Sequence, residues 1–460
     1  MALAGSCILL FLDGRGFPIP VSVGASLMIV FFLVLAGSFE GLSPGSLDVF
    51  LLIVLFTLAG SVFFLHRLHH EEFDPARVSS AGTVLYERPW GRGRVILVGT
   101  SRGKLVAHLP PSTIFREGDE VDIDGVIEPF GRSSEEGSFD EARFWKARGA
   151  VGKIRRPDIR LTRDNPGGIL WLRRNLREKI LLNLPPLMRG HLLAVILGGR
   201  DPDLAEKHSE WGTSHILAVS GLHAGVVVLV IFLLVPPGPL RIPAASLAMW
   251  IYILLAGASV SALRAGLMIQ AGFTGRWLGR PPSAVNAVSV AGLILLFWRP
   301  WFFWDLGWRL SMTAALVLSC LFDGGARKGW VAAPVMLWLA TAGMVTGVFG
   351  AVPVAGTIIN ILAVPFFSLL IPLAFFLAIP TLAGIPGGRV LTEAGEGIFY
   401  IWAGIADRAT SLLPWAVSHS WVLVFSGTTL TSYLLLAGIG FRRSHAAVFA
   451  VSIAIFLTLL

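Results

Sequence analysis

Charged residues are scarce in this chain: they make up 14% of its 460 residues, against 54% hydrophobic. That balance excludes a soluble globular protein, because no fold of this size covers so much apolar surface. Cysteine is nearly absent. Cys7 and Cys320 are the only two, and they lie about 300 residues apart, which excludes a disulfide framework or a cysteine metal site by spacing. Tyrosine is rare, at four, while tryptophan reaches 15, a bias that suits helices anchored at lipid interfaces. Met1–Leu12 has no basic leading region and is too short to span a bilayer, so no cleavable signal peptide is expected. Gly118-Asp-Glu-Val-Asp-Ile-Asp-Gly125 lacks the spacing of a calcium loop. No metal and no cofactor are expected.

The charge that exists is concentrated. Between Arg77 and Lys179 lie 20 of the 37 Lys and Arg, with 14 Asp and Glu, a surplus of six positive charges. The mixture suits a polyanion or an ordinary solvated surface. Before this insertion, Val21–Ala36 and Val49–Leu65 form an apolar pair that predicts a transmembrane hairpin over residues 1–72. Within the insertion, Val84-Leu-Tyr, Arg94–Val98, Lys104–His108 and Val121–Ile127 are short strand-like runs separated by glycine turns. Four or five strands in so short a span predict a small OB-like β-barrel over residues 73–165. Arg92, Arg94, Arg102 and Lys104 are its candidate contacts for a polyanion. Ser138–Gly149 predicts a short helix capped by Ser138. Trp171–Leu184, in segment 166–190, predicts a basic amphipathic helix lying on the membrane surface, its arginines toward phosphates.

Residues 191–460 are almost continuously apolar. Candidate spans lie near Ile216–Val235, Ala244–Ala258, Ser261–Trp277, Ala284–Phe297, Leu306–Leu321, Val331–Phe349, Gly356–Ile379, Gly397–Leu413, Trp421–Leu436 and Ala446–Leu460. Several fall short of the roughly 20 residues a straight span needs, which predicts re-entrant or interfacial pieces. Gly and Pro interruptions, such as Asn360 to Pro365 and Ile371-Pro372, are tolerated only against protein or water. The predicted fold class is a polytopic α-helical membrane protein with an inserted small OB-like barrel.

The richest segment is His215-Ile-Leu-Ala-Val-Ser-Gly-Leu-His-Ala-Gly225, which runs directly into an apolar stretch. Polar side chains there face a bundle interior or a water-filled path. Its bland reading is helix packing, with Ser220 bonded one turn back. Ala218-Val-Ser-Gly221 is near the Gly-x-Ser-Gly of rhomboid-type proteases, which raises a membrane hydrolase using Ser220. At i and i+3, however, Ser220 and His223 are not expected to align for proton transfer. His215 and His223, two turns apart with no acidic partner nearby, do not make a metal site. Arg264 is a lone guanidinium among apolar residues: it snorkels, clamps a neighbouring helix or meets an anion. Asp305 and Arg309 predict an i,i+4 pair. Asn360 is placed to bond carbonyls freed by Pro365.

Four ordered segments together resemble the ComEC family, the inner-membrane channel of bacterial DNA uptake. They are Leu193–Arg200 with Trp211–Gly225, then Ala256–Met268, then Arg299–Ser311, and finally Phe349–Pro365 with its Asn360-Ile-Leu-Ala-Val-Pro. The resemblance implies import of single-stranded DNA across the inner membrane by a multi-pass protein that does no covalent chemistry. His215, Ser220, Gly221, His223, Arg264 and Asn360 would line or gate the path. It also implies an outward-facing barrel, contact with membrane lipids, a separate nuclease and a cytoplasmic DNA translocase. The chain departs from the family in three ways: no His-x-His-x-Asp-His run, no cysteine pair in the barrel, and Arg309 where the family has glutamine. The first points to a short form without the metallo-β-lactamase-like domain. A transporter of another anionic polymer and the Ser220 hydrolase are the alternatives.

Overall fold

A computed structural model describes residues 75–131, 140–164, 167–279, 283–322 and 329–438, with a few helical positions between 446 and 454. The expected hairpin over residues 1–72 and most of the last candidate span lie outside the described residues.

The insertion forms a closed barrel of five strands: β1 (Ala76–Trp90), β2 (Gly93–Thr100), β3 (Gly103–Leu109), β4 (Glu120–Glu128) and β5 (Ala150–Arg163). Their order around the barrel is β1-β2-β3-β5-β4, with β3 and β5 parallel and the other pairs antiparallel. Closure depends on β1, which is 15 residues long and pairs with β4 along its first half and β2 along its second. An irregularity between Val84 and Tyr86 bends it from one partner to the other. Alternate residues fill the interior, among them Val78, Val84, Ile96, Val98, Leu105, Val121 and Ile123. Val95, Leu97 and Val106 point outward yet are buried, because helix α1 (Glu141–Ala147) lays Trp145 across them. Asp140 caps α1 by accepting from the Arg143 N–H at 2.9 Å, in place of the expected Ser138, which lies outside the described residues. Strand β5 had no clear signal, since Pro157 and five basic residues mask its alternation.

The helical part comprises α2 (Gly168–Asn183), α3 (Pro186–Leu197), α4 (Pro202–Glu210), α5 (Gly221–Leu234), α6 (Arg241–Leu255), α7 (Val260–Trp277), α8 (Ala284–Trp298) and α9 (Leu306–Phe322). It continues with α10 (Gly329–Phe349), α11 (Ala355–Leu382), α12 (Gly388–Leu412) and α13 (Trp421–Gly438). Short strands β6 (Ala351–Pro353) and β7 (Ala416–Ser418) pair antiparallel and clasp the α10–α11 link to the α12–α13 link. Among the described residues, α11 alone is long and apolar enough to cross a bilayer by length and composition; six further apolar helices have 10–17 residues. Two buried clusters organise the bundle. One joins α5 to α9, and the other joins α2, α3, α11 and α12.

Two expectations are corrected here. Helix α2 leaves Trp171, Leu172, Leu181 and Leu182 exposed, while Ile180 and, just past its end, Leu184 enter the second core cluster. Its arginines turn to barrel carboxylates rather than outward. Arg174 meets Asp119 at 3.1 Å and Asp164 at 2.6 Å, and Arg177 faces Glu87 at 3.6 Å. Buried or half-buried guanidinium needs a counter-charge, and the barrel rim supplies it. Nor is there a break at Asn360. Helix α11 runs unbroken through Pro365, Pro372 and Pro380.

The barrel sits against one end of the bundle. Besides the α2 contacts, Arg299 at the end of α8 donates to the Ala147 carbonyl at 3.0 Å. Lys146 of α1 lies 4.3 Å from the Trp301 ring. Asp305 accepts from the Trp308 N–H at 3.0 Å and faces Arg148 at 3.7 Å, so its carboxylate caps α9 and tethers the barrel.

Candidate functional site

The segment between α3 and α5 is where the chain leaves regular helix. Helix α3 stops at Gly198, which is left-handed at φ 64°. The amphipathic α4 follows, capped by Asp201. A turn at Gly212 (φ 67°) and one 3-10 turn over Ser214–Leu217 then lead to Ser220. This irregular stretch is held at several points. The buried Trp211 donates its indole N–H to Asp407 of α12 at 2.8 Å. Gly212 packs directly on Gly356 of α11, and Asn360 Nδ2 donates to the Gly212 carbonyl at 3.1 Å. Thr213 Oγ1 lies 2.8 Å from His208 Nδ1, and His208 Nε2 lies 3.1 Å from His191 Nε2. His191 stacks between Phe367 and Phe399. One proton arrangement satisfies the whole chain. His191 Nδ1 donates to the Leu187 carbonyl at 2.7 Å, its Nε2 accepts from His208, and His208 Nδ1 accepts from the Thr213 hydroxyl. Ser214, His215 and Ala218 remain exposed on this pinned loop.

Ser220 starts α5. As the capping residue it has extended backbone (φ −126°, ψ 174°), and its N–H donates to His223 Nδ1 at 3.2 Å. Its hydroxyl lies 3.2 Å from the same nitrogen. The expectation that an i,i+3 pair would not align fails here, because a capping residue is not in helical conformation. The arrangement closes the first turn of a helix. It is also within reach of proton transfer, though among the described residues no carboxylate orients the far side of the imidazole.

Gly221 opens the next contact. A Cβ there would lie 3.2 Å from Ala265 Cβ and 3.8 Å from an Arg264 terminal nitrogen. The start of α5 thus rests on the Arg264 turn of α7. Arg264 is half-buried, with its Nε buried and unbonded and its only polar contact Met268 Sδ at 3.6 Å. No carboxylate pairs with it among the described residues. Ser259 caps α7 just ahead of it, and Ser261 bonds Ser311 of α9 at 2.9 Å. So Ser220, Gly221, His223 and Arg264 do come together. Asn360 belongs instead to the Gly212 support, with its Oδ1 buried and unbonded; it neither breaks α11 nor serves Pro365. His215 stands apart on the exposed face of the loop.

The Competence protein family model matches residues 197–446, more than half of the chain. The chain belongs to this family. Within it, the chain is similar to ComE operon protein 3 of Bacillus subtilis (strain 168), 28% identical over 160 residues. That match covers 33% of this chain and 21% of the relative, so the chain spans about a fifth of its curated relative in the matched region. No solved structure matches.

The barrel lies outside the span matched to the Competence family, and its four candidate cations do not form one patch. Arg92 and Arg94 sit at the β1–β2 end, whereas Arg102 and Lys104 sit at the β2–β3 end. The eight residues of β2 separate the two ends by roughly 25 Å. Arg94 is ion-paired with Glu87. Burial and, secondarily, the nearby Arg299 push the Lys104 amine below its usual range. Arg92 and Arg102 are exposed hairpin tips.

Sequence reasoning missed His191, His208, Glu396 and Asp407. Glu396 of α12 is 6% exposed and accepts from the Leu187 and Met188 N–H groups at 2.9 and 2.7 Å, capping α3 from another helix. Each partner is either some 200 residues away or lodged in a core, so no local spacing announces it.

Proposed function

We propose that this protein is a multi-pass channel of the cytoplasmic membrane that imports single-stranded DNA, with the barrel seated over its outer mouth and no covalent chemistry in the bundle. The observation that carries this reading is Arg264: a half-buried cation with no carboxylate partner among the described residues, set against the capped start of α5. An unpaired guanidinium in an apolar helix costs several kcal/mol, and a passing phosphodiester supplies the missing charge. The pinned loop above it, with His215 exposed and Ser220 and His223 at its base, forms the rim. Membrane lipids surround the short apolar helices, and a separate nuclease and a cytoplasmic translocase supply degradation and drive.

The test is uptake of labelled single strands into proteoliposomes, alongside transformation frequency in a deletion strain. Arg264→Lys should keep part of the transport, since a phosphate accepts a point charge, while Arg264→Gln should abolish it at normal protein levels. Normal transport by Arg264→Gln would sink the reading.

A second reading has one observation in its favour. The Ser220 hydroxyl lies 3.2 Å from His223 Nδ1, a distance that suits a serine nucleophile and its base. Labelling by a serine-directed covalent probe, lost in Ser220→Ala, would replace the channel with a hydrolase.

A further inference from the structure

Arg173 occupies a position that the transport reading above does not use. It lies in the second turn of α2, with its side chain only 11% exposed. Its Nε meets Glu117 of the barrel at 3.1 Å, and one terminal nitrogen reaches the other Glu117 oxygen at 3.4 Å. The same nitrogen donates to the Leu197 carbonyl at 3.2 Å, and the second donates to the Leu255 carbonyl. Leu197 is the last residue of α3 and Leu255 the last of α6. These are the negative ends of two helices, where a cation is favoured.

The two helix ends are also the starts of two signature turns. Leu197 leads into Gly198 and Gly199; Leu255 leads into Ala256, Gly257 and Ala258. A Cβ on Gly198 would stand 2.6 Å from the Ala256 carbonyl oxygen, and one on Gly257 would stand 3.3 Å from Arg173 Nη1. The turns therefore touch each other, and the guanidinium covers both. Gly257 and Ala258 are consecutive left-handed residues, at φ 83° and 49°. For Ala258 that conformation is strained, and it persists only where the surroundings fix it. The next residue, Ser259, caps α7, the helix that carries Arg264. The path from the barrel to Arg264 is thus short and continuous: Glu117, Arg173, the two turns, and the first turn of α7.

We propose that Arg173 is a positioning residue that registers the barrel on the two signature turns and thereby sets Arg264 in the path of the strand. This rests on the transport reading, but the registration itself is measurable without DNA. Arg174 provides the matched control. It is comparably buried and binds barrel carboxylates Asp119 and Asp164, yet among the described residues it reaches no helix-end carbonyl.

The experiment uses the full chain in a background with Cys7→Ser and Cys320→Ser, spin-labelled at Ser112→Cys on the barrel and Glu210→Cys at the end of α4. Distance distributions are recorded for the parent, Arg173→Gln, Arg173→Lys and Arg174→Gln. Single-strand binding by the solubilised protein and transport into proteoliposomes are measured on the same proteins. Arg173→Gln should broaden the distance distribution and lower transport roughly three- to thirty-fold while single-strand binding by the solubilised protein is retained. Arg174→Gln strands the buried Asp119 and should lower thermal stability, yet it should broaden the distribution and reduce transport less than Arg173→Gln, because no helix-end carbonyl loses its donor. Arg173→Lys, which cannot span three acceptors in a plane, should resemble Arg173→Gln rather than the parent, and it keeps the test intact if Arg173→Gln does not fold. A narrow distribution in both Arg173 variants overturns the proposal, as does an equal loss in Arg174→Gln. A broadened distribution in a protein whose parent moves no DNA leaves the registration standing and removes the transport reading instead.

Discussion

Replacing Gly356 with alanine sets two opposed effects against each other. Within an exposed helix, Gly→Ala gains up to about 1 kcal/mol by reducing the backbone entropy lost on folding. At Gly356 the new Cβ would meet Gly212 Cα at 2.8 Å and the Gly212 and Trp211 carbonyl oxygens at 3.1 Å. All three atoms are backbone, so none can rotate away, and overpacking of this kind costs about 1–3 kcal/mol. Displacing the turn also strains the Trp211–Asp407 and Asn360–Gly212 bonds, the first, to a carboxylate, worth about 1.5–3 kcal/mol and the second about 1 kcal/mol when fully lost. Clash and bond strain together outweigh the helix gain, and Gly356→Ala should destabilise by about 1–3 kcal/mol. Gly404→Ala is the control, since nothing lies within 4 Å of its Cβ position; it should be neutral or slightly stabilising. Thermal unfolding of the detergent-purified protein, followed by tryptophan fluorescence, reads the difference at roughly 2 °C per kcal/mol. Equal or higher thermal stability in Gly356→Ala than in Gly404→Ala would refute the close-packed turn.

Further outcomes follow from the caps. Glu396→Gln offers one acceptor oxygen to two N–H groups and turns an amide toward the other, so it should cost about 1–3 kcal/mol in the same unfolding assay. Ser220→Asn preserves capping chemistry and should keep most transport into proteoliposomes, whereas Ser220→Ala should lose about 0.5–2 kcal/mol of stability; a dead but stable Ser220→Asn would favour the hydrolase. Trp211→Phe removes the indole N–H that reaches Asp407 and should lower stability by about 1.5–3 kcal/mol, which melting of the purified variant checks.

Much of the architecture was legible because it depends on local pattern. The alternation in β2 to β4, the glycine turns between them and most of the apolar runs place those elements within a few residues of where they lie. Helix α12, however, begins nine residues before the expected Gly397 and α5 five residues after the expected Ile216, where polar and irregular residues blur the helix starts. What the pattern could not carry was partnership. Arg173, Arg174 and Arg177 look like one basic face, yet the barrel carboxylates that receive them come from Glu87, Glu117, Asp119 and Asp164. The same applies to Arg92 and Lys104, neighbours in sequence placed at opposite barrel ends by one antiparallel strand. Ser220 and His223 were misjudged for a different reason: helical geometry was applied to a residue that precedes the helix. Asn360 was assigned to the proline nearest in sequence, while its side chain reaches a loop 148 residues away. The family resemblance found the right segments; the bonds among them are tertiary.

Helix α11 is jointed. Pro365, Pro372 and Pro380 each remove one backbone rung, so its bending stiffness falls at three levels spaced seven and eight residues apart. Both sides of the first joint are packed: Ala355, Ile359 and Ala363 ahead of it and Phe367, Leu370, Ala374 and Ala378 beyond it enter one core, while Gly356 and Asn360 grip the Trp211–Thr213 turn. The leading ten residues therefore cannot tilt at Pro365 by themselves: any bend there must repack the core around Ala355, Ile359 and Ala363 and carry Trp211 and Ile216 with it.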